Sequence, residues 1–198
     1  METVKEKNKI EGFGEFKPLT KYGVYFANLS AYVSGRLVGK WVYPLLYDSF
    51  EDFAEAIKEA TKDGIEYADE IAVHDYDNFP NMGEYPDYES VYNLAHAIDG
   101  SHLDDEVLIK YFKDYFSSNI EELADHIKDI EDAYINQYDN FRKFADERAE
   151  EQILNIVNKD AQQLVFNNFD YDGYARDLEH SYNVIKLDNY DVVVFNQQ

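Results

Sequence analysis

The sequence predicts an α+β fold built as an elongated chain of small modules, and three observations lead to it. β-branched and aromatic runs fill the first third of the chain, whereas apolar residues recur at helical spacing from Tyr88 onwards. Two short apolar runs, at residues 184–187 and 192–195, then close the chain. We therefore expect an N-terminal antiparallel β-sheet with a helix, a central bundle of short helices, and C-terminal helices with a small β element.

Changes of composition and period along the chain predict its division. A lysine- and glutamate-rich start without a periodic apolar face indicates a flexible extension, and a loop with two prolines and a glycine indicates a module boundary. We expect an N-terminal extension at residues 1–21 and an N-terminal α+β module at residues 22–86. A central helical module is expected at residues 87–136 and a C-terminal α+β module at residues 137–198.

The first module is predicted to contain three strands. Residues 22–29 and 37–46 are rich in β-branched and aromatic side chains, and residues 30–35 are expected to form a loop between them. Pro44 places the far end of the second strand at a sheet edge or a bulge. Residues 70–75 alternate between apolar and polar side chains and predict the third strand.

One helix is predicted between the second and third strands. Ser49 is a typical N-cap, Asp52 complements the helix dipole, and Gly64 is expected to end the helix. After the third strand, residues 78–87 predict a loop.

The central helices follow from apolar spacing and capping residues. Tyr88 begins a helix that Gly100 ends, and Ser101 with Asp104 is expected to start the next helix. Ser118 and Glu121 form a capping-box pattern, after which an apolar face continues to Ile130 or Tyr134.

The C-terminal module is predicted to contain two helical segments and a hairpin. Residues 138–157 keep the helical period, and residues 163–179 predict another helix, bent near Gly173. The terminal hairpin is expected to turn at Asp188 and Asn189.

Composition restricts the function. The chain of 198 residues has a formal net charge of −23, which argues against nucleic-acid binding because such proteins present Lys and Arg to phosphates. A partner should therefore be basic. The chain contains no Cys, so disulfides and thiolate chemistry are impossible, and we expect a cytoplasmic protein. No apolar run is long enough to span a membrane, and we expect no membrane contact.

The acidic residues are concentrated in the middle of the chain. Residues 69–132 carry 18 Asp or Glu against three Lys, a formal charge of −15. Along the helix after Ser118, acids opposite the apolar face recur every three or four residues, or one carboxylate per roughly 4.5–6 Å. Duplex DNA presents one charge per ~3.4 Å on each strand, so several such rows together approach its charge density. A merely solvated acidic face, or adaptation to salt, remains an alternative.

No pattern of residues indicates an active site or a metal site. The acidic sequences beginning at Asp75 and Asp170 fail the EF-hand pattern, because Phe79 occupies a ligand position in the first and Gly173 comes too early in the second. The histidines lack metal-ligand spacing, and no pair of acids stands out as catalytic. We expect neither enzymatic activity nor a cofactor.

Three stretches resemble the ArdA family of antirestriction proteins. The first is YFANL at residues 25–29, the second is EIAVHDYDNFP at residues 70–80, and the third is FDYDGYARDLE at residues 169–179. They occur in the family's order and extend the resemblance over nearly the whole chain. After YFANL, the first stretch continues through Tyr32, Gly35, Leu37, Gly39 and Trp41.

The resemblance implies an elongated homodimer that mimics bent duplex DNA and uses no cofactor. Such proteins are encoded on plasmids and conjugative transposons, and protect incoming mobile DNA by occupying the DNA groove of type I restriction-modification enzymes. The partner would be their DNA-binding specificity and modification subunits. The resemblance also makes residues 164–179 the antirestriction motif. The remaining alternatives are an acidic protein that sequesters another basic DNA-binding protein, and a carboxylate-dependent hydrolase.

The candidate partner-binding residues are carboxylates that would stand where DNA phosphates lie. Tyr171 and Tyr174 are the candidate dimer contacts, and no residue is a candidate catalytic group or metal ligand. The predicted phosphate-mimicking residues are Asp75, Asp77, Glu84, Asp87, Glu89, Asp104, Asp105, Glu106, Asp114, Glu121, Glu122, Asp125, Asp129, Asp132, Asp139, Asp146, Glu147, Glu150, Asp170, Asp172, Asp177 and Glu179.

Overall fold

A computed structural model describes residues 20–116 and 119–197. Within them, eight α-helices and two three-stranded antiparallel sheets confirm the predicted α+β class. The chain forms two compact units, one ending at Phe79 and the other beginning at Pro80. The predicted flexible extension over residues 1–21 falls almost entirely outside the described residues, and the division into three modules stays a prediction. No helix of the described residues is long and apolar enough to cross a membrane.

The described part of the first unit, residues 20–79, is a three-stranded sheet with one long helix on it. β1 is the central strand, and β2 and β3 pair with it on either side, both antiparallel. A β-bulge interrupts the β1–β3 pairing between Tyr25 and Phe26. In chain order the elements are β1 (Gly23–Asn28), α1 (Leu29–Val33), β2 (Gly39–Val42), one turn of 3-10 helix (Pro44–Leu46), α2 (Phe50–Ala60) and β3 (Ile71–Asp77).

Helix α2 covers one face of this sheet. Ser49 caps it as predicted, since its hydroxyl oxygen accepts a hydrogen bond from the Asp52 backbone N–H at 3.2 Å. Phe53 and Ile57 are fully buried, and the Phe53 ring meets the ring of Phe26 from β1 at 6.1 Å. The helix ends at Ala60, before the predicted Gly64, because Thr61 leaves helical geometry there.

Two expectations for the first unit were wrong. The expected loop at residues 30–35 begins as helix α1, because the Asn28 side chain accepts a hydrogen bond from the Ala31 N–H at 3.0 Å and so caps a helical turn. The second strand ends at Val42, since Pro44 has no N–H for a ladder and starts a 3-10 turn instead.

Among its described residues, the second unit contains six α-helices and the second sheet. β6 is its central strand, between β4 and β5, and both pairings are antiparallel. In chain order the elements are α3 (Tyr88–Gly100), α4 (Asp105–Tyr115), one turn of 3-10 helix (Ile120–Glu122), α5 (Leu123–Ala133), β4 (Tyr134–Tyr138), α6 (Phe141–Ile156), α7 (Lys159–Asn168), α8 (Tyr171–Glu179), β5 (Tyr182–Lys186) and β6 (Val192–Asn196).

Both faces of the second sheet are covered. Val192 and Val194 pack with Phe144 of α6 in one buried cluster. On the other side the Phe195 ring lies 4.2 Å from the ring of Tyr111, which comes from α4. All three β6 residues are at most 5% exposed, so the central strand is enclosed by helices from both sides.

Three expectations for the second unit were wrong. β4 replaces the predicted helical residues around Tyr134 and Tyr138, because their backbone pairs with the distant strand β6. The break between the last two helices lies at Phe169, not at Gly173, since the Asp170 carboxylate caps α8 by accepting the Gly173 N–H at 2.9 Å. Ser101 does not start α4, because the N-cap is Asp104, the other residue expected at this start. The predicted capping residue Ser118 lies outside the described residues.

Candidate partner-binding site

The predicted acidic row on α5 lies opposite a buried apolar face. Leu123, Ile127 and Ile130 are at most 7% exposed and point into the second unit. The acids fall between these positions in the 3.6-residue period and are exposed to solvent. Of the two acids expected at its first position, Glu122 is exposed and Glu121 is half-buried. The row therefore consists of Glu122, which is the N-cap of α5, and of Asp125, Asp129 and Asp132 on the helix itself.

The other predicted acids are also at the surface. Only Asp105, Glu121 and Asp146 among the 22 are half-buried, and the rest are exposed. Their positions follow from local structure, because most belong to the solvent faces or first turns of helices, where carboxylates complement the helix dipole.

Several of the predicted carboxylates already have partners within the chain. Asp87 and Asp170 cap α3 and α8 by accepting backbone N–H groups at 2.8 and 2.9 Å. Asp139 pairs with Lys143, whereas Arg142 pairs with both Asp146 and Asp172, and Glu106 pairs with Lys110. These carboxylates contribute to the fold and are less available to a partner.

The remaining set is larger. Apart from the helix-capping Asp87 and Asp170, thirteen exposed acids of this set have no Lys, Arg or His of the described residues within 4.0 Å, so their charge is uncompensated by any described ion pair. Besides Asp75 and Asp77 on β3, they are Glu84, Glu89, Asp104, Asp114, Glu122, Asp125, Asp132, Glu147, Glu150, Asp177 and Glu179.

Glu131 is a structural acid that the sequence pattern did not single out. Its carboxylate accepts hydrogen bonds from the Ser101 hydroxyl at 2.6 Å and the His102 backbone N–H at 3.1 Å. The hydrogen bond from Ser101 is the main reason why the pKa of Glu131 lies below its usual value. Since the partners are 30 residues apart, no local signal predicts this link between α5 and the α3–α4 connection.

The two candidate dimer contacts are half-buried in the second unit. Tyr174 packs on Phe169 with ring centres 5.5 Å apart, and its hydroxyl oxygen is buried without a hydrogen-bond partner among the described residues. Burial raises the pKa of Tyr174. Tyr171 lies beside the same Phe169 ring at 4.9 Å and under the Arg142 guanidinium at 5.9 Å.

Exposed apolar side chains lie near these tyrosines in the sequence. Leu154 on α6 is 56% exposed and Leu164 on α7 is 69% exposed. Leu164 lines an open depression of about 450 Å³ with Val165, Asn168 and Phe169. No residue of α7 or α8 is buried, although both helices carry apolar side chains, and this is the signal from which an apolar contact surface is predictable.

The described residues contain no group of three or more His, Asp or Glu side chains arranged to hold a metal ion. The first stretch of family resemblance begins in β1 and continues through α1 to Trp41 of β2, and the third forms helix α8 with the two residues before it. The second forms β3, where Asp75 lies opposite Tyr25 of the first.

Comparison with protein families gives one match over most of the chain. Residues 24–191 match the family model described as Antirestriction protein (ArdA). A comparison with curated proteins finds no match. The match begins at the second residue of β1 and includes every later element up to β5, and all three stretches on which the sequence resemblance rests lie within it. The chain therefore belongs to the ArdA family of antirestriction proteins.

Proposed function

We propose that this antirestriction protein mimics duplex DNA and competes for the DNA groove of type I restriction-modification enzymes. The observation that carries the proposal is the row on α5, where Glu122, Asp125 and Asp132 are exposed and lack an ion pair with any described residue. A folded helix holds these carboxylates at fixed spacing, as a duplex holds its phosphates.

The mechanism follows from the charge. Lys and Arg side chains that neutralise phosphates in the enzyme's groove would meet carboxylates instead, forming charge-assisted hydrogen bonds. A net charge of −23 also attracts a basic groove over long range and speeds association. Holding so many like charges together costs folding stability, and a surface that serves binding accounts for that cost.

Occupation of the groove requires no chemistry by the inhibitor. The proposed partners are the DNA-binding specificity and modification subunits, and the protein acts stoichiometrically in the cytoplasm, without catalysis or a cofactor. Incoming mobile DNA is protected because the enzyme's groove is already filled.

We also propose that the active form is a homodimer. Tyr171 and Tyr174 remain the proposed contacts, and the exposed Leu154 and Leu164 supply apolar area in the same C-terminal part of the chain. Light scattering at micromolar concentration tests this, and a monomeric mass contradicts it.

A displacement titration tests the mimicry. A type I methyltransferase core is bound to labelled target DNA, and the protein is added at low and at raised salt. We expect stoichiometric release of DNA that weakens as salt rises, because exposed charges are screened. An unrelated acidic protein of equal net charge is the control. Absence of release at every salt concentration contradicts the proposal and favours another basic protein as the partner.

A further inference from the structure

The open face of the first sheet carries a cluster of aromatic rings. Tyr25 meets Trp41 edge-on at 5.5 Å and His74 at 6.4 Å, and Tyr32 meets His74 at 4.9 Å. Tyr32 is 54% exposed and Trp41 is 37% exposed, and His74 is also exposed. We call these four residues the aromatic platform. All of them belong to the first and second stretches of family resemblance. The proposed DNA mimicry assigns a role only to the acids of these stretches, and not to their aromatic rings.

Strand register places carboxylates beside the rings. Trp41 on β2 and Asp75 on β3 both lie directly opposite Tyr25 on β1, so the three side chains form one row across the sheet. Asp77 lies opposite Gly23 in the next row. A Cβ atom on Gly23 would stand 3.1 Å from the Trp41 ring and 3.3 Å from the Asp77 Cβ, so this ring lies over Gly23 next to Asp77.

The platform lacks a cation of its own in the part of the chain that the structure describes. No described Lys or Arg lies over its rings, and neither Asp75 nor Asp77 has a described ion-pair partner. Lys40 precedes Trp41 on β2 and therefore points to the opposite face of the sheet, which α2 covers. There its charge adds to the hydrogen bond from Lys62 in lowering the pKa of Glu59 on α2.

The same chain shows what such a set of groups binds. Lys62 lies 4.5 Å from the centre of the Tyr67 ring and forms an ion pair with Glu59 at 3.0 Å. In the second unit, Arg142 lies over Tyr171 and pairs with Asp172. In each case an aromatic face and a carboxylate together hold one cation.

We propose that the aromatic platform, with Asp75 and Asp77, binds an arginine side chain of the partner protein. A guanidinium stacks flat on an aromatic face and donates two hydrogen bonds to one carboxylate, whereas an ammonium is a compact point charge. Over Tyr25 the guanidinium is within reach of Asp75, its neighbour across the strands. The proposal rests on the proposed function only for the identity of the protein that supplies the arginine.

Trp41 makes the test direct, because it is the single tryptophan of the chain. The full-length protein is titrated with blocked octa-arginine and octa-lysine peptides, and the emission of Trp41 is followed. We expect octa-arginine to change the emission at a lower concentration than octa-lysine of equal charge. An equal response to both peptides, or none, overturns the proposal.

Matched variants separate peptide binding by the aromatic platform from peptide binding by the general negative charge of the protein. Tyr25→Leu keeps the charge, and we expect it to raise the half-saturating concentration of octa-arginine by about 2- to 30-fold. Tyr67→Leu is its control, since it removes a tyrosine ring that belongs to a different cluster, beside Lys62. Asp75→Asn should weaken binding more than Asp69→Asn, which removes one exposed charge elsewhere in the unit. Equal effects within either pair overturn the proposal.

Two further measurements complete the experiment. If Tyr25→Leu fails to fold, as circular dichroism will show, Tyr32→Leu replaces it, because Tyr32 lies on the short helix α1 and is half exposed. In the DNA displacement assay the platform variant should also require about 2- to 30-fold more protein for half-release. If the native protein releases DNA and the variant does so equally well, the platform has no part in target binding. If the native protein releases no DNA, DNA mimicry is contradicted, and the peptide titration alone decides whether the platform binds arginine.

Discussion

The two sheets of this protein have the same number of strands and the same antiparallel pairing, yet their central strands have different surroundings. β6 in the second unit is covered by helices on both faces, with Val194 against Phe144 and Phe195 against Tyr111. β1 in the first unit has α2 on one face and the aromatic platform on the other. A sheet enclosed on both faces supports a fold, whereas one open face is available to a partner.

The same difference appears in how each unit presents its acids. The second unit surrounds its enclosed sheet with helices whose outer faces carry many separate carboxylates, such as the row on α5. The first unit places Asp75 and Asp77 beside aromatic rings. We infer that binding energy is spread over many weak contacts in the second unit and concentrated in a few in the first.

The largest effect is expected from Phe195→Ala. Its ring is fully buried and contacts the rings of Tyr111 at 4.2 Å and Tyr134 at 5.8 Å, so the substitution leaves a cavity at the centre of the second unit. We expect a loss of about 3–5 kcal/mol in the free energy of unfolding. Urea denaturation followed by circular dichroism measures it, and a loss below about 1 kcal/mol contradicts the enclosed sheet.

Substitutions on the two faces of β6 test whether both faces of the second sheet are enclosed. Val193 and Val194 are both fully buried but point to opposite faces of β6. Val193→Thr and Val194→Thr each bury an extra hydroxyl, and each should cost about 1–2 kcal/mol. On the aromatic platform of the first unit, Tyr32→Leu should cost less than about 0.5 kcal/mol, because more than half of Tyr32 is already exposed. If only one of the two valine variants is destabilised, one face of the second sheet is open as well.

The link between Glu131 and Ser101 gives a smaller effect with a defined pH dependence. Glu131→Gln removes a charge-assisted hydrogen bond, and we expect a loss of about 1–2 kcal/mol at neutral pH. The pKa of Glu131 is lower in the folded protein than its unfolded value of about 4.3. Its carboxylate therefore stabilises the fold fully above the unfolded pKa, and this stabilisation disappears as pH falls through the folded pKa. The difference between native and variant should therefore shrink below about pH 4.

Denaturation at pH 7 and at pH 3.5 measures this difference. Glu122→Gln is the matched control, because Glu122 is exposed and has no described ion pair. A stability difference for Glu131→Gln that stays constant between the two pH values contradicts the assigned role.

Local signals predicted most of the elements. Ser49 and the apolar spacing of Phe53 and Ile57 place α2, and the apolar run at residues 192–195 places β6, because caps and periodicity act within a few residues. β4 was missed because Tyr134 continues an apolar helical spacing, and only pairing with a strand some 60 residues later makes it extended.

The candidate sites were predictable to different degrees. The exposed row on α5 follows directly from helical period, since its acids alternate with Leu123 and Ile127. The aromatic platform does not, because strand register brings Trp41 and Asp75 to Tyr25, and a bulge lets His74 reach the same rings. Register depends on contacts between distant segments, which no local pattern contains.

The smallest effect is expected from a single carboxylate of the α5 row. Asp125→Asn should raise the concentration needed for half-release of DNA by less than about fivefold, because an exposed ion pair contributes only ~0.2–1 kcal/mol. Neutralising the whole row should weaken inhibition by about tenfold or more and reduce its dependence on salt. If Asp125→Asn alone abolishes inhibition, binding in the second unit is concentrated in one contact, and the contrast with the aromatic platform disappears. The ratio between the loss from one acid and the loss from all four therefore measures how evenly the row shares its binding, because no single carboxylate is indispensable where many contribute equally.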